Sequence, residues 1–443
     1  MTALTKDLAM KFQIQPGGSV SGHARVPGDK SISHRSIMLG ALALGTTTIS
    51  GFLEGEDALA TLGAFRAMGV QIEGPVDGIV RVQGVGLHGL TAPAAPLDLG
   101  NAGTGMRLLC GLLAGQAFNS ELTGDTSLCS RPMGRVVDPL AQMGAKITAQ
   151  AGGRPPLQVA GGSNLTGMHY AMPMASAQVK SCLLLAGLYA EGETSVTEPA
   201  PTRDHTERML RGFGYTVGTS GSTVSLTGGG ELSACDIEIP ADISSAAFFL
   251  VAGSIAPGSD LMLTHVGINP TRVGVINILQ LMGADITLQN QREVGGEPVA
   301  DIRVRYAQLK AIDIPLEQVP LAIDEFPALF IAAACAEGRT VLRGAQELRV
   351  KESDRIAAMA EGLTTLGVAT EVLDDGIVIH GGEIGGGEIR TYMDHRIAMA
   401  FAIAGLRASA PITVHDCDHV ATSFPGFDSL AAELGLGIEL QES

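Results

Sequence analysis

Six copies of one phrase punctuate this chain, and that repetition limits what it can fold into more than any other feature. Each copy is the end of an amphipathic stretch, a hydrophobic residue, a glycine and then a strand-like run. The copies are FRAMGVQIEG, LAQMGAKITAQ, LRGFGYTVGT, LQLMGADITLQ, LTTLGVATEV and AAELGLGIEL. Their marker glycines are Gly69, Gly144, Gly214, Gly283, Gly367 and Gly435. Glycine just past a helix supplies the left-handed conformation that closes it. Upstream of each copy lies a second helical stretch, small and apolar on nearly every face, as in SHRSIMLGALALG, ISSAAFFLVAGSIA and EFPALFIAAACAEG. A helix with no polar face has to be wrapped in protein. β-branched runs such as TTTISG and TSVTEP follow several of these stretches. The unit therefore reads as buried helix, strand, loop, amphipathic helix, strand, strand. Six such α/β units, three to a domain, account for 443 residues in two domains.

Composition narrows the function. Hydrophobic residues make up 45% and can fill two cores, while aromatics are only 4% with no Trp, which argues against stacking on bases or sugars. A net charge of −17 opposes nucleic acid and anionic membranes. The six cysteines lie far apart with no C-x-x-C pair, and read as reduced, buried thiols. Met1–Gly18 has no apolar leader-like run. The longest apolar runs fall short of the ~20 residues needed to cross a bilayer. The expectation is a cytoplasmic protein.

Two classes of loop repeat with the units. One precedes the buried helix: PGDKS, LGNAGTG, PMASAQ, PADISS, AIDEFP and YMDHR. The other precedes the amphipathic helix: LEGEDA, SLCSRPM, APTRDH, INPTRVG, LRVKESDR and ATSFPGF. Both feed helix N-termini, where free N–H groups and the helix dipole favour anions. Plain capping by Ser, Thr, Asp and Asn explains any single loop equally well. Their basic residues shift the balance. Lys30, Arg35, Arg107, Arg131, Lys180, Arg203, Arg272, Lys351, Arg355 and Arg396 all lie in these loops or one turn beyond. If each domain gathers its buried helices side by side, two facing domains make a cleft lined with donors, built for small anions. For Arg107 and Arg272, ordinary salt bridges remain an equal reading.

Against this basic background stand two carboxylates. Asp324 opens a buried helix in AIDEFP, and Glu352 follows Lys351 in RVKESDR. A carboxylate beside cations stays ionised and can accept a proton, whereas a proton donor needs burial or screening. Asp324 can equally be a helix cap. GNAGTG has neither the ending of a Walker A loop nor dinucleotide-fingerprint spacing. Its glycines do let a ligand approach the backbone, making Gly103 a candidate contact. In HDCDH, strand alternation would put His415, Cys417 and His419 on one face. No fourth ligand at metal spacing accompanies them, so ordinary strand packing is the reading and no metal is expected.

With these residues in view, the chain resembles the 3-phosphoshikimate 1-carboxyvinyltransferases, also called 5-enolpyruvylshikimate-3-phosphate synthases, and most closely their class II subgroup. PGDKSISHRS, GNAGTGMR, RPMGR, PMASAQVKS, TRDHTE, IDEFP, RVKESDR and DHRIAM carry the likeness, in order, along nearly the whole chain. The resemblance implies two inside-out α/β domains of three repeats each. One is residues 26–240; the other is discontinuous, residues 1–25 plus 241–443, with the N-terminal strand in the C-terminal half and the active site in the cleft between. It implies transfer of an enolpyruvyl group from phosphoenolpyruvate to the 5-hydroxyl of shikimate 3-phosphate, on the shikimate route to chorismate and the aromatic amino acids. Addition gives a tetrahedral intermediate and elimination releases phosphate. No cofactor or metal is implied, the partners are the two small substrates, and a monomer is expected. Lys30, Ser31, Arg35, Ser176, Gln178, Arg203, Asp324 and Lys351 match shikimate 3-phosphate contacts, with Thr202 an alternative to Arg203. Lys30, Gly103, Arg131, Gln178, Arg355 and Arg396 match phosphoenolpyruvate contacts. Asp324 takes the hydroxyl proton, Glu352 protonates the methylene carbon, and Lys30 completes the catalytic set. Glyphosate sensitivity is implied as well, because tolerant class II relatives carry Ala where this chain has Gly103.

Three positions depart from the family pattern. Ala177 stands where many members have a second Ser, Glu347 where some have Asn, and Thr422 where many have a Lys. The rival enzyme reading is the sister transferase acting on a UDP-sugar, UDP-N-acetylglucosamine, which carries a Lys-Asn pair and a reactive loop Cys. Here the pair is Lys30-Ser31, and neither Cys110 nor Cys129 has that loop setting. A non-catalytic anion-binding module is the third reading. It leaves Asp324 and Glu352 unexplained.

Overall fold

The structure, a computed structural model, describes residues 10–442. Met1–Ala9, half of the stretch read above for a leader, lie outside the described residues. The chain divides into two compact units. One holds the described chain up to Pro27, Ala241–Arg292 and the described chain from Pro298 onward; the other holds Gly28–Pro240 and Glu293–Glu297. The passages fall at Pro27 and Pro240. Glu293–Glu297, expected with the C-terminal half, groups instead with Gly28–Pro240. Side chains of that unit anchor it: His205 Nδ1 lies 2.8 Å from Glu297 Oε1, and Arg208 Nη1 donates to the Gly296 carbonyl at 2.8 Å.

Each unit is built around three inner helices. In the Gly28–Pro240 unit they are Lys30–Leu42, Gly103–Ala114 and Ala177–Gly187; in the other, Ile243–Ile255, Phe326–Ala334 and His395–Ala404. Every residue of Ile243–Ile255 and Phe326–Ala334 is buried. In the other four, only Lys30, Ser31, Thr104, Arg107, Ala177, Gln178 and Arg396 escape burial, all within the first turn and a half. The apolar lengths thus form the cores, at about 1.5–3 kcal/mol for each fully buried large apolar side chain. The starts of these four helices remain open. Outer helices end at the marker glycines, and all six glycines take positive φ, between 81° and 112°.

Among the described residues, six small sheets surround the helices. The repeat carries one element that the sequence reading lacked, a short edge strand ahead of the inner helix. Leu97–Asp98, His169–Ala171 and Gly387–Arg390 each pair in parallel with the strand that follows their helix. Runs of two to four residues are too short to show a hydrophobic period. Where the chain passes between units, these edge strands are exchanged. Ser21–Ala24 pairs with Asp260–Gly267, while Ile237–Glu238 pairs with Leu44–Ser50. The sixth sheet is completed by Met10–Gly18, antiparallel to both Ile412–His415 and Leu436–Glu442, with Phe12 opposite Val414 and Leu440.

The alternation read into HDCDH fails. The strand ends at His415, Asp416 turns to φ 58°, and Asp418–Thr422 is a 3-10 turn. Cys417 faces inward, its thiol 3.2 Å from the Val414 carbonyl. Among the described residues no group of three or more His, Cys, Asp or Glu is placed to hold a metal ion. No helix among them is long and apolar enough to cross a membrane. The six cysteines are free, and burial pushes the Cys110 and Cys335 thiols up to about 12.

Candidate active site

In the Gly28–Pro240 unit, the expected residues collect at the inner-helix starts. Asp29 caps the first helix by accepting from the Ile32 N–H at 2.9 Å. Lys30 forms a close ion pair with Asp57 of the Glu56–Ala67 helix. Arg35 is buried and donates three ways: to the Ser31 carbonyl at 2.8 Å, to Thr206 Oγ1 at 2.7 Å and to Ser181 Oγ at 2.8 Å. Burial pushes its guanidinium down to about 10, with Glu207 and Asp29 pulling the other way, so it keeps its charge at neutral pH. Gln178 receives a bond from Arg107 Nη1 at 2.6 Å and gives one to Thr104 Oγ1 at 2.9 Å. Arg131 Nη2 donates to Asn101 at 2.6 Å and to Ser127 at 3.1 Å, and Asn101 in turn donates to Asp125 at 2.8 Å. The Gly103 backbone lies under Arg131: a Cβ built there would be 3.1 Å from Nη1. Ser176 does cap its helix, through the Val179 N–H at 3.3 Å, yet its hydroxyl proton remains available to a ligand.

The second group lies at the helix starts of the other unit. Phe326–Ala334 has Glu325, not Asp324, at its cap position. The capping reading of Asp324 therefore fails. Its Oδ1 lies 3.2 Å from Lys351 Nζ and 3.4 Å from Arg355 Nη1. Arg355 is fully buried and also binds Glu352 Oε2 at 2.6 Å and Asp394 Oδ2 at 2.8 Å. Burial alone would weaken this cation, but Asp394, Glu352 and Asp324 together hold its pKa above the ordinary value. Asp394 caps the last inner helix through the Arg396 N–H at 3.0 Å. The Arg396 side chain donates to the Asp324 carbonyl at 3.0 Å. The turn before it is strained, because Tyr392 and Met393 both take left-handed φ, 55° and 61°. Each costs on the order of 1–3 kcal/mol, a cost commonly found where a functional group must be aimed.

Not every cation in the loops faces a ligand. Lys180 is buried between Glu198 at 2.9 Å and Glu207 at 2.7 Å. Arg272 is buried against Asp242 and Glu325, so the salt-bridge reading holds for it, while Arg107 supports Gln178. Arg203 is half-buried and contributes charge near Arg35. Thr422, where many family members carry a Lys, supplies no charge: it is buried and its hydroxyl donates to the His419 carbonyl at 2.6 Å. Glu347 stands 3.9 Å from Lys351. Sequence reading missed the acids behind the site groups: Asp57 and Asp394, which pair with Lys30 and Arg355, and Asp125, which holds Asn101. The signal was present, since each sits just before or within the first turn of a helix, where a carboxylate is commonplace and hence uninformative.

A family model described as EPSP synthase (3-phosphoshikimate 1-carboxyvinyltransferase) matches residues 14–430. The curated 3-phosphoshikimate 1-carboxyvinyltransferase of Methylococcus capsulatus is 66% identical over 98% of this chain and 99% of its own length. That of Alkalilimnicola ehrlichii is 66% identical over 97% of this chain and 96% of its own. Among solved structures, EPSP synthase from Acinetobacter baumannii is 60% identical and superposes with a TM-score of 0.89, over 98% of this chain and 100% of that one. The enolpyruvyl transferase NikO from Streptomyces tendae is only 18% identical, yet its TM-score of 0.80 over 98% of this chain shows the same fold. The inside-out architecture, the ordered motifs and these full-length relatives agree: the chain belongs to the EPSP synthase family, the 3-phosphoshikimate 1-carboxyvinyltransferases.

Proposed function

We propose that this chain transfers the enolpyruvyl group of phosphoenolpyruvate to the 5-hydroxyl of shikimate 3-phosphate and releases phosphate. The observation that carries the reading is the pair of carboxylates tied to one buried guanidinium, Asp324 at 3.4 Å and Glu352 at 2.6 Å from Arg355. An addition needs a base for the hydroxyl and an acid for the methylene carbon. Two carboxylates sharing a cation, one of them also beside Lys351, meet that need. Asp324 accepts the 5-hydroxyl proton as the oxygen attacks C2 of phosphoenolpyruvate. Glu352 delivers a proton to the methylene carbon. The anionic donor, arriving at Arg355, competes with Glu352 for the guanidinium and so raises the proton affinity of Glu352. Elimination then returns a methyl proton to the Glu352 carboxylate as the C–O bond to phosphate breaks, and the departing phosphate takes the proton held by Asp324.

The remaining polar groups hold the two anions. Lys30, Ser31, Arg35, Ser176, Gln178, Arg203 and Lys351 are assigned to shikimate 3-phosphate, and Lys30, Gly103, Arg131, Gln178, Arg355 and Arg396 to phosphoenolpyruvate. Preorganised Arg and Lys donors at helix starts stabilise the charge of the intermediate without reorganisation. Acid–base and electrostatic groups suffice for every step, so the reading requires no metal or organic cofactor. It has the chain acting in the cytoplasm as a monomer. Phosphate release, followed with phosphoenolpyruvate and either shikimate 3-phosphate or UDP-N-acetylglucosamine, is the test. Release with the first acceptor alone supports the reading; release only with the UDP-sugar, or with neither, refutes it.

A further inference from the structure

One buried ionic cluster takes no part in the site just described, yet adjoins it. Glu325 sits at the cap position of Phe326–Ala334, but its side chain makes no cap bond to that helix. Instead Oε1 accepts the hydroxyl of Ser244 and lies 3.7 Å from Arg272 Nη2. The same Nη2 donates to Ser244 Oγ and to Asp242 Oδ1, the latter at 3.1 Å. Asp242 also caps Ile243–Ile255 through the Ser244 N–H at 2.8 Å. All four residues are at most 6% exposed.

Burying two carboxylates and a guanidinium costs more than filling the same space with apolar side chains. Core packing therefore does not account for the cluster, but its position does. It ties three segments together: the start of Ile243–Ile255, the loop holding Arg272, and the turn holding Asp324. The loop is itself stiff, because Asn269 accepts the Thr271 N–H at 2.9 Å and its carbonyl accepts the Arg272 N–H at 2.8 Å. The turn is thus gripped on both sides of Asp324. Arg396 holds the Asp324 carbonyl at 3.0 Å, and the next side chain, Glu325, is locked into the cluster.

We propose that Glu325, through Ser244 and Arg272, is a positioning residue that fixes the direction of the Asp324 carboxylate. The proposal rests on Asp324 being the base, and its experiment separates the two ideas. Misplacing a reacting group by about 1 Å can cost on the order of a hundredfold in rate. Glu325→Ala should therefore lower kcat about 30-fold, with both KM values within about threefold, and Glu325→Gln should recover most of the loss by keeping the acceptor for Ser244. If Glu325 acts through Asp324, the double variant Asp324→Asn/Glu325→Ala should be no more than about twofold slower than Asp324→Asn alone. A merely structural role lowers Tm but leaves kcat per folded molecule unchanged, and a role independent of Asp324 multiplies the two losses. Either outcome overturns the proposal. Should Glu325→Ala fail to fold, Ser244→Ala takes its place: a folded Ser244→Ala enzyme with unchanged kcat also overturns it. Wild-type kcat in Asp324→Asn refutes the base assignment instead, a result that Glu325 variants cannot produce.

Discussion

A methyl group added at Gly103 would stand 3.1 Å from Arg131 Nη1 and 3.6 Å from Leu128 Cδ1. The first distance is tight, so the guanidinium must move by a few tenths of an ångström, against its bonds to Asn101 and Ser127. Gly103→Ala should raise KM for phosphoenolpyruvate a few-fold. It should weaken glyphosate, a longer anion for the same cations, by about tenfold or more, since specificity is a difference of affinities. Inhibition at several phosphoenolpyruvate concentrations reads both; equal weakening of the two ligands contradicts the account. Asp324→Asn and Glu352→Gln should each cut kcat by about a hundredfold or more with KM little changed, as expected for groups acting in the transition state. Steady-state kinetics with unaltered kcat in either variant removes its assigned role. His34 offers a pH test. Burial, then the charges of Lys30 and Arg35, hold its pKa well below the ordinary 6.5, so the folded protein keeps it neutral. The unfolded chain binds a proton there below about pH 6.5, so stability is intact above that pH and falls as pH drops toward the folded pKa, by at most ~1.4 kcal/mol per unit. Urea unfolding at about pH 7.5 and about pH 5.5 should show a smaller loss in His34→Asn than in wild type; equal losses would be the contrary result.

At the scale of elements, the marker glycines and inner helices were readable because both obey strong local rules. A helix closed in the left-handed region announces itself by glycine, and Gly367 illustrates it, with φ 86° and open space beside it. Gly367→Ala should cost about 1–2 kcal/mol from backbone strain alone. Gly63, exposed inside Glu56–Ala67 with no neighbour within 4 Å and no left-handed φ, should instead gain about 0.5–1 kcal/mol on mutation to Ala. Denaturant midpoints of the two variants should shift in opposite directions, and shifts of the same sign would contradict the conformational argument. The edge strands were not readable. Leu97–Asp98 and Ile237–Glu238 are held by one neighbouring strand rather than by any pattern of their own. Tertiary context likewise decided HDCDH, where the turn at Asp416 ended an alternation that looked regular in sequence.

Across the whole molecule, an acidic chain of net charge −17 keeps a minority of its cations at inner-helix starts and the loops beside them. Which cations serve ligands was only partly legible. Lys180, in the first turn of an inner helix, and Arg272, in a loop, lie near site residues in sequence, but acids from elsewhere in the chain claim them. Such pairings join residues far apart in sequence, as with Arg272 and Asp242, and no local pattern encodes them. What binds the account together is the claim that Glu352 protonates the methylene carbon before elimination regenerates the double bond. The most direct measurement is mass spectrometry of the enolpyruvyl product formed in D2O by the wild-type enzyme. Protonation followed by loss from a freely rotating methyl group predicts deuterium in the product methylene, accompanied by phosphate release. Product that forms with phosphate release but carries no deuterium would contradict the addition–elimination route and the role given to Glu352.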